Sequence, residues 1–523
     1  MPWSTLHLRS VAVWLCAIPA PLGSGMKAAE FRLKLTPRTK VKDLIAVVRE
    51  SKVTRKLFLF AQRNSSFTPK PIKRLVKMLL RPTGHLAEVQ LEGWSRPLIS
   101  GRSERLAPQS VCLSAHESSG SETSVSNVPL VPAHRGMRCV IATESLDAGG
   151  MDEVVAFLAR GLHRRGYRVA VAHTPDYVYR RSAETGQDRL RHNLEAEGLE
   201  VVRLNAEDCE AWLRFWRPDV VSAHGVPKWM LESAAACSIP VVETLHGMHN
   251  QFNVDGVQVR ARRDLLAGLV SVSEMVRRQY LAVDVDCEPD FITNIPNGVV
   301  SSPRPSISRE NARRLLGLTD EYLFVSLARH CLQKNNFGLA SAFSEVAEVV
   351  PNAHLLICGR PDDASYAEQV LELKNRMRHG GRLHLRDHTQ QPRVLLSAAD
   401  GFVLNSFFEG WALASMEALM SGVPVVMSDV GGAREQLADK PKWGCLVSNP
   451  LGDPLVVDWK SMAASRFQRQ QNREELIAAM LSFSRDRAWS RSEGIAVEAA
   501  RRFDADVCLS RHAKVLEAAA GTA

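Results

Sequence analysis

The chain has 523 residues, 45% of them apolar and 24% charged, with a net charge of +9. That is ordinary globular composition with room for two to four domains, which excludes a disordered or fibrous chain. No apolar run approaches the ~18 residues of a membrane-spanning helix. The ten cysteines form no CxxC pair, and Cys139 and Cys358 sit in apolar, strand-like runs. This spacing argues against zinc ribbons and disulfide scaffolds and for reduced thiols in a cytoplasmic protein.

The charge is uneven. Residues 26–80 hold 15 Lys or Arg against Glu30, Asp43 and Glu50, so they carry +12 and the rest of the chain −3. Residues 11–21 have the pattern of a short signal h-region, interrupted by Pro19, and Met26 is an equally compatible start. Ile72, Leu75, Val76, Leu79 and Leu80 share one face of a helix opening at Pro71. Lys70, Lys73, Arg74, Lys77 and Arg81 fill its other faces. Such a helix either docks on the protein or lies on an anionic membrane, so residues 70–81 are a candidate peripheral membrane contact at its inner face. No nucleic-acid recognition signature accompanies the charge, and nucleic acid is not an expected partner. Residues 101–136 are Ser-rich and polar and read as a flexible linker.

From Met137 apolar runs alternate with amphipathic helical stretches. Strands are expected at 138–143, 168–172, 200–204, 219–223, 240–245 and 268–272, with a Gly149-Gly150 turn after the first. Residues 305–317 join this set to a second. There, strands are expected at 323–327, 354–358, 382–385, 402–404, 424–427 and 445–447, and helices at 336–349, 366–378, 393–399 and 412–421. The tail, 473–520, reads as helical. The expected division is a basic extension over 1–100, the linker over 101–136, α/β domains over 137–303 and 304–490, and C-terminal helices over 491–523 packing back on the first domain. The fold class is α/β, two Rossmann-like doubly wound domains facing across a cleft. Ligands bind at the carboxyl edge of such sheets.

The densest chemistry lies between Asn405 and Leu437. Glu409 and Glu417 stand with seven residues between them, followed by an apolar run and Gly431-Gly432. Alone, the two carboxylates could be a helix start and a solvated face, and Gly149-Gly150 a plain turn. Their order on one α/β frame is what makes them informative. The string EGWALASMEA followed by GVPVV and GG resembles the retaining glycosyltransferases of family 4, also called group 1, of GT-B arrangement. So do Gly149-Gly150, Thr244-Leu245-His246, Ser271 to Glu274, Pro296 to Val299, Leu327-Ala328-Arg329 with Lys334-Asn335, and Cys358-Gly359-Arg360. The resemblance runs from residue 137 to about 520 and leaves 1–136 unmatched.

The resemblance implies transfer of a hexosyl group from a nucleotide-diphosphate sugar to a saccharide, glycolipid or cell-envelope acceptor, with retention. It implies His246, Arg329, Lys334 and Glu409 as catalytic groups. It places Glu409 on the sugar hydroxyls and Glu417 on the ribose, as carboxylates suit vicinal hydroxyls. Gly149, Gly150, Gly359, Gly410, Trp411, Ala412 and Leu413 complete the expected donor site, the amides at a helix start suiting phosphate. Arg329 and Lys334 suit the charge that builds on a leaving diphosphate. No cofactor or metal is expected. His224 is a weaker acceptor-side candidate, outside the catalytic set. Three departures stand out: Gly247 where relatives often have Asp, no acid in His330 to Gln333, and Arg434 where proline is usual. A same-fold phosphorylase, a sugar-nucleotide epimerase and a non-catalytic glycan-binding relative are the alternatives.

Overall fold

The computed structural model describes residues 91–94, 96–99, 136–146, 149–174, 189–249, 252, 254–299, 307–440 and 442–521. The expectations for residues 11–21, 70–81 and 101–135 lie outside them.

Seven short strands, most of them apolar, build the first sheet. They are β1 (Arg138–Thr143), β2 (Arg168–His173), β3 (Glu200–Arg203), β4 (Val220–His224), β5 (Val241–Leu245), β6 (Gly268–Ser271) and β7 (Ile292–Asn294). All pairs are parallel, in the order β3-β2-β1-β4-β5-β6-β7. Parallel strands need crossover helices, and these cover both faces. β4 and β5 are accordingly buried at every residue. β7 was not expected: three residues ending at Ile295-Pro296 are too few to show alternation.

Six strands build the second sheet: β8 (Tyr322–Leu327), β9 (Ala353–Cys358), β10 (Leu383–Arg386), β11 (Gly401–Leu404), β12 (Val425–Ser428) and β13 (Gly444–Val447). Their order is β10-β9-β8-β11-β12-β13, again wholly parallel. Both sheets reverse strand order beside their first strand, which opens a crevice at the carboxyl ends of β1 and β4, and of β8 and β11. The helix expected at 336–349 is found there, Asn336–Val349. That expected at 366–378 starts earlier, as Ala364–Arg376, because the Asp363 side chain accepts from Tyr366 N at 3.1 Å and caps it. The connector 305–317 contains a helix of its own, Arg309–Leu315, capped by Ser308.

The tail is not one helix. It breaks into Arg473–Arg485, Glu493–Arg502 and Ala505–Gly521, with Ser492 capping the second. Glu493–Arg502 packs on the second domain, against the helix Leu413–Met420, so it does not return to the first domain as expected. Only Ala505–Gly521 does, against β4, β5 and the helix Gly150–Arg164. The chain crosses over at Phe503, whose carbonyl accepts from Val299 N at 2.9 Å.

Part of the N-terminal extension lies on the second domain. Arg386, on edge strand β10 and 2% exposed, donates to the carbonyls of Gly93 and of Pro97, the latter at 3.1 Å. The Trp94 indole donates to Asp387 O at 3.0 Å, and buried Leu98 donates its N–H to Leu316 O at 2.9 Å. An edge strand exposes unpaired backbone groups, and this segment covers one. Among the described residues no helix is long and apolar enough to cross a membrane.

Candidate active site

The loops after β8 and β11 flank the reversal point of the second sheet. After β8, a single 3-10 turn (Leu332–Lys334) ends in Asn335, held at φ 53° by a reciprocal pair of side-chain hydrogen bonds with Gln470, at 2.8 and 2.6 Å. This sets the direction of Lys334. Its Nζ donates to Glu409 Oε1 at 2.6 Å. The buried Ser406 hydroxyl donates to the same oxygen at 2.6 Å. Arg329 donates to Asp362 Oδ2 at 2.7 Å and to Gln333 Oε1 at 3.0 Å. Three of the expected catalytic groups therefore share one wall of the crevice.

The fourth comes from the first domain. His246 follows β5, and its carbonyl lies against Gly410. A Cβ at position 410 would stand 2.0 Å from that oxygen. Only glycine permits this approach of two backbones. Gly247 takes φ +148°, a left-handed backbone that favours glycine over a residue with a side chain. The absence of Asp at 247 thus goes with the backbone conformation of this turn. The His246 ring turns away from this contact, its Nε2 2.8 Å from His224 Nδ1. Burial depresses His246 to about 3, with His512 and His249 adding to it.

The other expected donor residues divide. Gly149 and Gly150 open the helix Gly150–Arg164, and Leu413 closes over Gly150 from the second domain. Two helix N-termini, at Gly150 and Leu413, thus face one another, and each favours negative charge. The Trp411 side chain points into the core, 7% exposed and edge-on to Phe503. Only its backbone, with that of Ala412 at the helix cap, lines the loop. Gly359 lies against the Ala328 carbonyl, next to Arg329. Glu417 is exposed; lost hydration raises its pKa against the pull of Arg393, with Glu153 adding to the rise.

Several residues of the site were not found in the sequence. Ser406 stands three residues before Glu409, and Asp362 three after Gly359. His249 stacks on Phe408, ring centroids 5.9 Å apart at 23°. Burial lowers its pKa, Arg329 lowers it further and Glu409 opposes them, which sets His249 among the same charges. The HGMH spacing was the one available signal for it. Of the departures, Arg434 clamps Asp429 with bonds of 2.8 and 2.5 Å, and His330 is a buried residue hydrogen-bonded to Arg386 O at 3.1 Å. The domains also meet at Glu435, whose carboxylate accepts from Glu274 N at 2.9 Å and Asn294 Nδ2 at 3.1 Å. Among the described residues no group of three His, Cys, Asp or Glu is placed to hold a metal ion.

Residues 148–302 match the family model described as Glycosyltransferase Family 4, and residues 308–454 that described as Glycosyl transferases group 1. The D-inositol 3-phosphate glycosyltransferase of Corynebacterium diphtheriae is 26% identical over 391 residues, 66% of this chain and 87% of the relative. Glycogen synthase of Mycobacterium tuberculosis is 26% identical over 303 residues, 53% of this chain and 69% of the relative. The Escherichia coli UDP-Gal:alpha-D-GlcNAc-diphosphoundecaprenol alpha-1,3-galactosyltransferase is 32% identical over 178 residues, 32% of this chain and 42% of the relative. Anabaena Alr3699/HepE, solved with UDP, shares the fold at a TM-score of 0.58 and 16% identity, over 73% of this chain and 100% of that one. With the two reversal-point crevices facing each other and the two models together spanning most of both domains, the chain belongs to the group 1 glycosyltransferases of family 4 type, enzymes of the GT-B fold.

Proposed function

We propose that the enzyme moves a hexosyl group, with retention, from a nucleotide-diphosphate sugar to a saccharide or lipid-linked glycan acceptor. The observation that carries this reading is the Lys334–Glu409–Ser406 cluster beside Arg329, set opposite the first domain at the Gly410 contact. Glu409 accepts hydrogen bonds from donor-sugar hydroxyls, and Glu417 from the ribose. The facing helix N-termini at Gly150 and Leu413 attract the diphosphate. As the bond from C1 to the phosphate oxygen breaks, Arg329 and Lys334 neutralise the charge left on that oxygen. The acceptor oxygen bonds to C1 on the same face, and its proton passes to the departing phosphate. His246 borders the sugar.

The relatives support this direction. One is named for transfer to D-inositol 3-phosphate and another for transfer to a diphosphoundecaprenol-linked sugar. The Anabaena neighbour has also been solved with UDP-glucose. In this reading Arg329 and Lys334 take the place of a metal ion, and turnover persists in EDTA. Peripheral contact of residues 70–81 with the inner face of a membrane is part of the proposal, tested by co-sedimentation of the full chain with anionic vesicles.

The test is a panel of UDP-glucose, UDP-galactose, UDP-N-acetylglucosamine and GDP-mannose with candidate acceptors. Acceptor-dependent release of the nucleotide diphosphate, with product anomers read by NMR, is expected. Absence of both turnover and nucleotide binding across the panel overturns the reading.

A further inference from the structure

Ser222, His224 and His246 form a hydrogen-bonded chain from the interior of the first domain to the crevice. Ser222 Oγ lies 3.0 Å from His224 Nε2, and His224 Nδ1 lies 2.8 Å from His246 Nε2. The two rings are 5.1 Å apart, tilted at 37°. Ser222 and His224 are two residues apart on β4 and so face the same side of the sheet. His224 is 0% exposed and Ser222 3%.

A neutral imidazole has one donor and one acceptor nitrogen. The chain therefore has two self-consistent settings. In one, the Ser222 hydroxyl donates to His224, whose Nδ1–H donates to His246, and His246 keeps its proton on Nδ1. In the other every bond is reversed, and His246 Nδ1 is a bare acceptor. In both, Nε2 of His246 is committed inward, and Nδ1 is the ring nitrogen left for another partner. A turn of the ring would break the 2.8 Å bond and strand His224 Nδ1 without a partner in a buried site, which is costly.

We propose that His224 is a positioning residue for the transfer reaction: with Ser222 behind it, it fixes the ring orientation of His246, holding Nε2 inward and leaving Nδ1 as the outward nitrogen. The inference rests on the reading of His246 as a group bordering the donor sugar. The surroundings keep the chain uncharged. His512 approaches from the helix Ala505–Gly521, 2% exposed, and His249 from the loop after β5. Burial holds His224 well below its ordinary value and His512 at about 4, so neither becomes an ion near neutrality. Such a neutral chain orients a ring without adding charge to the site.

The test compares His224→Leu and His224→Asn in the full chain, with the sugar nucleotide of the four-member panel that the wild type turns over. Leucine fills the space without a hydrogen bond, whereas the asparagine amide reaches the region of Nδ1. H224L is expected to lower kcat about 10²-fold, the scale of a misplaced group. KM for the donor stays within about threefold, and H224N recovers at least ~10-fold of the loss. Equal kcat in H224N and H224L, or a rise in KM alone, overturns the proposal. Should H224L fail to fold, Ser222→Ala carries the test: kcat falls with the melting temperature unchanged, and an unchanged kcat overturns it. A wild type that turns over no donor overturns the functional reading itself, and this inference with it.

Discussion

The Lys334 ammonium lies 2.6 Å from the Glu409 carboxylate, across 75 residues of chain. Both side chains are largely withdrawn from water, at 16% and 7% exposure, and Ser406 donates to the same carboxylate oxygen. Charges in such surroundings interact more strongly than at a surface, and removal of one leaves the other uncompensated. The two residues assigned to sugar and phosphate thus orient one another.

That coupling is measurable. Lys334→Ala and Glu409→Ala should each lower transfer about 10²–10³-fold, the cost of losing one preorganised group. The double variant should fall well short of the product of the two losses, with an interaction energy of roughly 1–3 kcal/mol. Steady-state kinetics on the four chains check this, and simple multiplication of the losses would show two independent roles.

Gly410→Ala should separate folding from closure. The added Cβ would meet the His246 carbonyl at 2.0 Å, a backbone atom that cannot rotate aside. Relief requires the two domains to part at this contact, so transfer should fall at least ~10-fold while each domain keeps its core. Gly381→Ala is the control, since nothing lies within 4 Å of a Cβ there. Activity and thermal melts of both variants decide it.

Arg386 ties residues 93 and 97 to edge strand β10. Arg386→Ala leaves two carbonyls without their charged donor and should cost about 2–4 kcal/mol of stability. Arg386→Lys should be intermediate, since an ammonium lacks the planar fork that serves two carbonyls at once. Urea titrations of the three chains give the order, and equal midpoints would mean that the segment adds nothing to the domain.

Acid should destabilise this protein well above the carboxylate range. His246 is held near 3 and His512 near 4, and His224 well below its ordinary value, each chiefly by burial. Unfolded, all three titrate near ~6.5. Between that pH and about 4 the unfolded chain binds protons that the folded chain refuses, so stability falls as pH falls. The contribution is fully present above pH ~7. Urea midpoints from pH 7.5 to 5 should decline, and His512→Leu should shallow the decline by about one proton. A flat profile would contradict neutral, buried imidazoles.

Periodicity alone was enough for the two alternating sets, because a strand buried on both faces must be apolar throughout and a covering helix apolar on one side. Hence the near coincidence of expected and observed strands, and of the helix Asn336–Val349. It failed where the signal is a matter of few residues: β7 has three, and the tail breaks at single capping residues, Ser492 and the buried Phe503. At the site, motif order named Glu409, Lys334, Arg329 and His246, which the fold brings to one crevice, and did not name Ser406, His249 or the contacts of Gly93, Pro97 and Leu98.

Local chemistry in the sequence therefore determined the element types, the two-domain class and the family. Only the tertiary structure decided which groups touch. The Lys334–Glu409 pair, the His224–His246 bond and the passage of Gly410 beneath a carbonyl of the other domain join residues 22 to 164 positions apart. Such contacts depend on where backbones cross, and no periodicity along the chain encodes that crossing.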